Sequence, residues 1–180
     1  PVFFWFSHRV ESKDNIIISK KNYNFLLDTI TQDTYFGCMI KKIYIAGPLF
    51  NVHEKKYLED IAEVLEGAGY ECFVPHRDQT GIDPAELKGT DMKQSTKDKI
   101  FQNDLDALVD SDLTIALITG QDIDSGTSSE IGFTYANKRP VIAINAEERR
   151  YRNLFVEGMI NKTVNNIDEL LEAIKSLEVK

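Results

Sequence analysis

From Lys41 onward the chain alternates short apolar runs with segments whose apolar residues recur every three or four positions, which predicts strands alternating with helices. Ile43 to Ala46 is an apolar run closed by Gly47-Pro48, so it reads as a buried strand leading into a loop. Tyr57, Leu58, Ile61, Ala62 and Leu65 share one helical face, with Gly67 and Gly69 as the stop. Tyr70 to Val74 reads as a second strand closed by Pro75. The stretch from His76 to about Thr96 carries Gly81, Pro84 and Gly89 and reads as a long loop, a length that usually accompanies function.

The same alternation continues to the C-terminus. It predicts a helix from about Lys97 to Val109, a strand from Leu113 to Ile118, a Gly/Asp-rich loop over 119–127 and a helix from about Ser128 to Asn137. A fourth strand, Val141 to Ile144, follows the break at Arg139-Pro140, and Lys162 to Val164 would make a fifth. The last helix runs from Asp168 to Leu177, where Asn166 and Glu169 have capping-box spacing. This order predicts one α/β domain, a doubly wound parallel five-stranded sheet with helices on both faces. Ligands in such sheets bind outside the carboxyl ends of the strands, so the loops after Ala46, Val74 and Ile118 should surround one pocket.

Residues 1–38 are a different kind of sequence. A short apolar patch, Val2 to Phe6, gives way to Lys, Asn, Asp and aromatics without sustained periodicity. The patch is too short for a signal peptide or a membrane span, and nothing else in the chain approaches about 18 consecutive apolar residues. We expect an appendage contributed by upstream sequence rather than a functional arm, with the domain occupying 39–180 and its natural start at Met39.

Composition narrows the partners. The 180 residues suit roughly one domain. Twenty-one basic against 29 acidic residues give a net charge of -8, which repels phosphate backbones and anionic lipid alike. Neither nucleic acid nor a membrane is therefore expected as a partner. Cys38 and Cys72 have no metal-ligand spacing, and so low a cysteine count suits a reducing, cytoplasmic compartment.

Three carboxylates carry the candidate chemistry. Asp104 shares a helical face with Ile100, Phe101 and Leu108, so it should point inward, either as a satisfied core acid or as a group matched to a task. Asp124 and Glu130 flank a loop that enters a helix, where backbone N–H groups and the helix dipole favour an ionised carboxylate. Such a carboxylate is what covalent glycosyl transfer needs. The alternative at Glu130 is structural: Thr127-x-x-Glu130 also matches a capping box, in which the acid only satisfies an amide at the helix start.

Taken together, five ordered motifs over about residues 41–160 resemble the nucleoside 2-deoxyribosyltransferase family: Ile43-Tyr44-Ile45-Ala46-Gly47-Pro48-Leu49-Phe50, Val74-Pro75-His76-Arg77-Asp78-Gln79, Asn103-Asp104, Asp124-x-Gly126-Thr127-x-x-Glu130-x-Gly132, and Asn153-Leu154. The resemblance implies a flavodoxin-like sheet and transfer of 2-deoxyribose between nucleobases through a covalent glycosyl-enzyme. It implies Glu130 as nucleophile, Tyr44 holding Glu130, and Asp104 handling the proton of the leaving base. It further implies Asp124 on the sugar hydroxyls, Gln79 and residues 75–78 on base edges, and Phe50 near the base ring. Gly47 and Gly126 join the substrate-binding set, and Asn153 would reach the sugar 5' end in a neighbouring subunit of a homo-oligomer. Substrates would be 2'-deoxynucleosides and free nucleobases, with no metal or organic cofactor.

Related chemistries share this scaffold. Deoxynucleotide N-hydrolases tend to carry a small hydroxyl residue where Asp124 stands. A carboxylate there would repel a 5'-phosphate by roughly 4 kcal/mol per charge pair at about 4 Å and an effective dielectric of 20, which favours a neutral nucleoside. Hydrolysis of a deoxynucleoside or nucleotide remains the first alternative, because water can accept the same glycosyl-enzyme. Phosphoribohydrolases that release cytokinin bases share the Gly126-Thr127-x-x-Glu130 spacing but not their paired-glycine element. A nucleotide-binding module without catalysis is the alternative outside enzymes.

Overall fold

The computed structural model describes residues 39–86, 91–119, 122–145 and 153–178. The expectation about residues 1–38 lies outside these. The elements are β1 (Lys42–Ala46), α1 (Val52–Gly67), β2 (Glu71–Phe73), α2 (Gln94–Asp110), β3 (Leu113–Leu117), α3 (Ser125–Ala136), β4 (Val141–Ile144), α4 (Leu154–Glu157), β5 (Lys162–Val164) and α5 (Leu170–Glu178), the last entered through a 3-10 turn at Ile167–Glu169. The strands pair in parallel in the order β2-β1-β3-β4-β5. This is the flavodoxin-like order, whose direction reverses between β1 and β3.

The two faces of the sheet differ in side-chain size. Ile43 and Ile45, Leu113, Ile115 and Leu117, and Ile142 and Ile144 form one core with Leu58, Ile61 and Leu65 of α1 and Leu170 and Ile174 of α5. On the opposite face, Tyr44 and Ala46, Ala116 and Val141 pack with Leu108 of α2, Ile131 of α3 and Val156 of α4. The register aligns Ala46 with Ala116 and Ala116 with Ala143, so a row of methyl groups crosses the carboxyl half of that face. Such small residues let α3 sit close to the sheet. Its position is pinned by the buried pair of hydroxyls Thr114 Oγ1 and Thr134 Oγ1, 2.7 Å apart.

Helix starts lie upstream of the first residue of the apolar pattern, at positions that apolar spacing does not mark; side-chain caps hold α1 and α3, whereas α2 has none. α1 opens with a full capping box, Asn51 accepting from Glu54 N–H and the Glu54 carboxylate accepting from Asn51 N–H. α2 begins three residues before Lys97, at Gln94. α3 begins three residues before Ser128, at Ser125, with Asp124 as its cap. The last helix is capped by Asn166, and Glu169 reaches back to the Asn165 N–H. The short turn α4, capped by Asn153, had no apolar periodicity to announce it.

Gly47, one residue past β1, marks a close approach. A Cβ there would lie 2.6 Å from Leu58 Cδ2 and 3.2 Å from Leu117 Cβ, both on fully or nearly fully buried side chains. Gly47→Ala is expected to lower unfolding stability by about 1–3 kcal/mol in a urea titration, the usual cost of overpacking. An unchanged midpoint would mean that α1 can withdraw freely from the strand end.

Candidate active site

Tyr44 is the third of five residues in β1, so it sits mid-strand rather than at the strand end. Its ring is fully buried and stacks on Phe73 with centroids 5.6 Å apart. From there its hydroxyl donates to Glu130 Oε1 at 2.6 Å. That distance is short for an O–H···O bond and belongs to the charge-assisted class when the acceptor is ionised. Burial and the neighbouring carboxylates Glu130 and Asp104 push the Tyr44 hydroxyl well above its ordinary range, so it keeps its proton and donates it to Glu130.

The capping-box reading of Glu130 does not hold. Asp124 Oδ2 accepts from Thr127 N–H at 3.0 Å and lies 3.2 Å from Thr127 Oγ1, so Asp124 is the cap and Thr127 is already inside the helix. Glu130 therefore stands in the second turn of α3, where no orphan amide needs it. Its carboxylate is half-buried and aimed at Tyr44. The expectation that the helix start keeps it ionised also needs correction. Burial, opposed by the Tyr44 hydrogen bond and reinforced by the charges of Asp104 and Asp124, pushes it up from 4.5 to about 7. Dipole stabilisation fades beyond the first turn, so desolvation wins.

Asp104 faces the same region from α2. The predicted inner face of α2 holds at Ile100, Asp104 and Leu108 but not at Phe101, which is 66% exposed, and the buried polar residue on this helix is Asn103. Asp104 is half-buried beside Asn103, and its Oδ1 accepts from Gln79 Nε2 at 2.7 Å. Burial pushes Asp104 up to about 6 despite that hydrogen bond. Gln79 Nε2 also donates to the Pro75 carbonyl at 2.8 Å, and Gln79 Oε1 accepts from Asn103 Nδ2 at 3.0 Å. Both N–H groups of Gln79 are thus engaged within the protein, and what it offers a ligand is the second lone pair of Oε1.

The loop after β2 spends its other side chains on holding itself. Asp78 Oδ2 accepts from Val74 N–H at 2.7 Å, and Arg77 reaches Glu66 at 2.6 Å and Asp78 at 2.8 Å. His76 Nε2 lies 2.9 Å from Glu59 Oε1. Asn103, buried on α2, was placed by sequence only as the neighbour of Asp104; its Nδ2 ties this loop to the helix through Gln79 and the Thr80 carbonyl at 2.9 Å.

The remaining predicted residues surround this group at its edges. Gly126 lies in the first turn of α3, where a Cβ would meet Asp124 Oδ2 at 3.0 Å. Phe50 is 78% exposed just before α1. Asn153 is exposed and caps α4 by accepting from Phe155 and Val156 N–H. A cavity of about 480 Å³ lies between β2 and α2, lined by Phe73, Asp78, Thr80, Asn103 and Asp106 among others. Tyr44, Asp104 and Glu130 do not line it. Among the described residues no group of three or more His, Cys, Asp or Glu side chains is placed to hold a metal ion, and no helix is long and apolar enough to cross a membrane.

Two buried carboxylates that feel each other titrate as a unit. Burial raises Asp104 to about 6 and Glu130 to about 7, so chemistry that needs a charge on Glu130 and a proton on Asp104 uses the less populated of the two singly protonated arrangements. Tyr44 raises the share of the useful form by stabilising the charge on Glu130. Tyr44→Phe is therefore expected to lower kcat/KM at the optimum by about tenfold or more and to move the alkaline limb of the pH profile upward by about one unit, because a hydrogen bond to a charged group is worth about 1.5–3 kcal/mol. A lower rate with an unmoved limb would show that the hydroxyl does not tune Glu130.

Comparison with known proteins gives the family. The family model described as nucleoside 2-deoxyribosyltransferase matches residues 43–171. Among solved structures, a conserved protein from Enterococcus faecalis V583 is 27% identical with a TM-score of 0.63, over 77% of this chain and 99% of that one. A 2-deoxyribosyltransferase from the psychrotolerant bacterium Bacillus psychrosaccharolyticus is 25% identical with a TM-score of 0.61, over 72% of this chain and 89% of that one. No curated protein matches. Since the family match spans well over half of the chain and encloses Tyr44, Asp104, Asp124 and Glu130, this protein belongs to the nucleoside 2-deoxyribosyltransferase family.

Proposed function

We propose that the protein exchanges nucleobases on 2'-deoxynucleosides through a glycosyl-enzyme formed on Glu130. The 2.6 Å hydrogen bond from a buried tyrosine to a half-buried carboxylate, with a second carboxylate of raised pKa facing it, is the observation that carries this reading. In the first half-reaction an oxygen of ionised Glu130 bonds to C1', the bond from C1' to the base nitrogen breaks, and its electron pair leaves with the base. Asp104 gives the departing base its proton. In the second half-reaction an incoming base gives a proton to Asp104 and attacks C1', and Glu130 leaves as carboxylate. The missing 2'-hydroxyl makes the oxocarbenium-like transition state easier to reach.

Supporting residues take the roles their positions suit. Asp124 binds sugar hydroxyls with the oxygen it does not use as a cap, and its charge disfavours a 5'-phosphate. The free lone pair of Gln79 and the second oxygen of Asp104 meet the base edge. Phe50 covers the base ring. Asn153 serves the 5' end of the sugar in a neighbouring subunit, a reading supported by the 80% and 81% exposure of Leu154 and Phe155 beside it.

Incubation with deoxyadenosine and free cytosine or hypoxanthine is expected to yield the base-exchanged deoxynucleoside. Equal release of free 2-deoxyribose with and without an acceptor base, and no exchanged product, would make the protein a hydrolase instead. The same panel with deoxynucleoside 5'-monophosphates as donors is expected to give slower turnover.

A further inference from the structure

We propose that Asn103 is a positioning residue for the base-side proton transfer: it fixes the Gln79 carboxamide so that Asp104 presents its proton from Oδ2 to the nucleobase. This rests on the exchange reaction above. A carboxamide can turn by half a rotation with almost no change of shape, so its orientation is set by the polarity of its neighbours. The Thr80 carbonyl can only accept, which turns the Asn103 NH2 group toward it at 2.9 Å and also toward Gln79 Oε1 at 3.0 Å. The Pro75 carbonyl can only accept, which demands the Gln79 NH2 group on the other side, at 2.8 Å. Two backbone carbonyls and one buried asparagine therefore leave Gln79 a single orientation, with an N–H directed at Asp104 Oδ1 at 2.7 Å.

The consequence falls on Asp104. An oxygen that receives an N–H cannot also point a proton at that donor, so the acid proton belongs on Oδ2. Among the described residues no hydrogen bond is made by Oδ2, so it is the oxygen left to face a ligand. Turned the other way, Gln79 would offer Oε1 to Asp104, hold the proton on Oδ1, and leave the base facing a bare acceptor. The Pro75 carbonyl holds the Gln79 NH2 group from one side, and Asn103 supplies the donor that Oε1 needs on the other, so the orientation is secured at both ends of the carboxamide.

The test separates proton delivery from general damage by using two donors. Deoxyadenosine needs its leaving base protonated, whereas 7-methyl-2'-deoxyguanosine carries a cationic base that departs neutral without a proton. Asn103→Asp keeps the shape but sets an acceptor against Gln79 Oε1. It is expected to lower kcat on deoxyadenosine by about tenfold or more, with KM and the rate on the methylated donor within about threefold of wild type. Asn103→Ala, which removes the donor without adding an acceptor, is expected to act in the same direction and less strongly, and it serves if Asn103→Asp does not fold. Equal losses on both donors, or no loss on either, would overturn the proposal. Wild-type protein that turns over neither donor would overturn the exchange reading, and this one with it.

Discussion

Glu130→Ala is expected to lower turnover in base exchange by about three to six orders of magnitude, the range seen when a covalent nucleophile is removed. Near wild-type activity would sink the glycosyl-enzyme, since no other described carboxylate receives the Tyr44 hydroxyl. Glu130→Gln gives the same loss with a second signature. The folded state holds Glu130 protonated up to about pH 7, while the unfolded chain releases that proton near 4.5. Below the lower value both states are protonated and the group contributes nothing. Between about pH 4.5 and 7 the unfolded chain releases the proton that the native state keeps, so the wild type loses stability across that window; above it the native protein carries in its interior a charge that the unfolded chain carries in water. A shift of this size corresponds to about 3 kcal/mol. Glu130→Gln is accordingly expected to be more stable than wild type at pH 8, with a Tm higher by several degrees, about 2–4 °C for each kcal/mol in a chain of this size. At pH 4 the difference is expected to vanish. Equal Tm values at both pH values would mean that Glu130 is not strained by burial.

Asp104→Asn is expected to slow exchange between natural nucleosides by about 10²–10⁴-fold, the usual contribution of a general acid or base. Asn keeps the shape and can still accept from Gln79 Nε2, so the loop after β2 stays tied to α2. What it lacks is a proton to give. Its pH profile is expected to lose the fall in rate on the alkaline side, leaving a single rise as Glu130 ionises. A profile that keeps both limbs would assign the proton to another group. As with Glu130, removing the charge relieves a burial penalty, so a loss of stability is not expected above pH 7.

The alternation of strands and helices was legible because the three central strands are buried on both faces and read as nearly continuous apolar runs. Ile43 to Ala46, Leu113 to Leu117 and Val141 to Ile144 are all of this kind. Helix starts were less legible, since Gln94 and Ser125 are polar and lie ahead of any periodicity. For α1 a signal was present in Asn51-x-x-Glu54. Asp104 was legible through a face that departs from the expected one only at Phe101, which is exposed, while the buried polar side chain beside Asp104 is Asn103. A pattern of apolar spacing cannot separate a buried asparagine from an exposed one, because burial of a polar group depends on distant partners such as the Thr80 carbonyl. The protonation of Glu130 was hidden for a related reason. Its pKa follows from how deeply Tyr44 and α3 enclose it, which no local motif encodes.

The cap at position 124 gives this helix an unusual freedom. Aspartate and serine serve nearly equally well at a helix start. An exchange between them would remove one negative charge from the place where we put the sugar, while the start of α3, the helix that carries Glu130, stays fastened in place. Selection could thus move such a scaffold between uncharged and phosphorylated donors in a single step, without first having to rebuild the platform on which the reaction takes place.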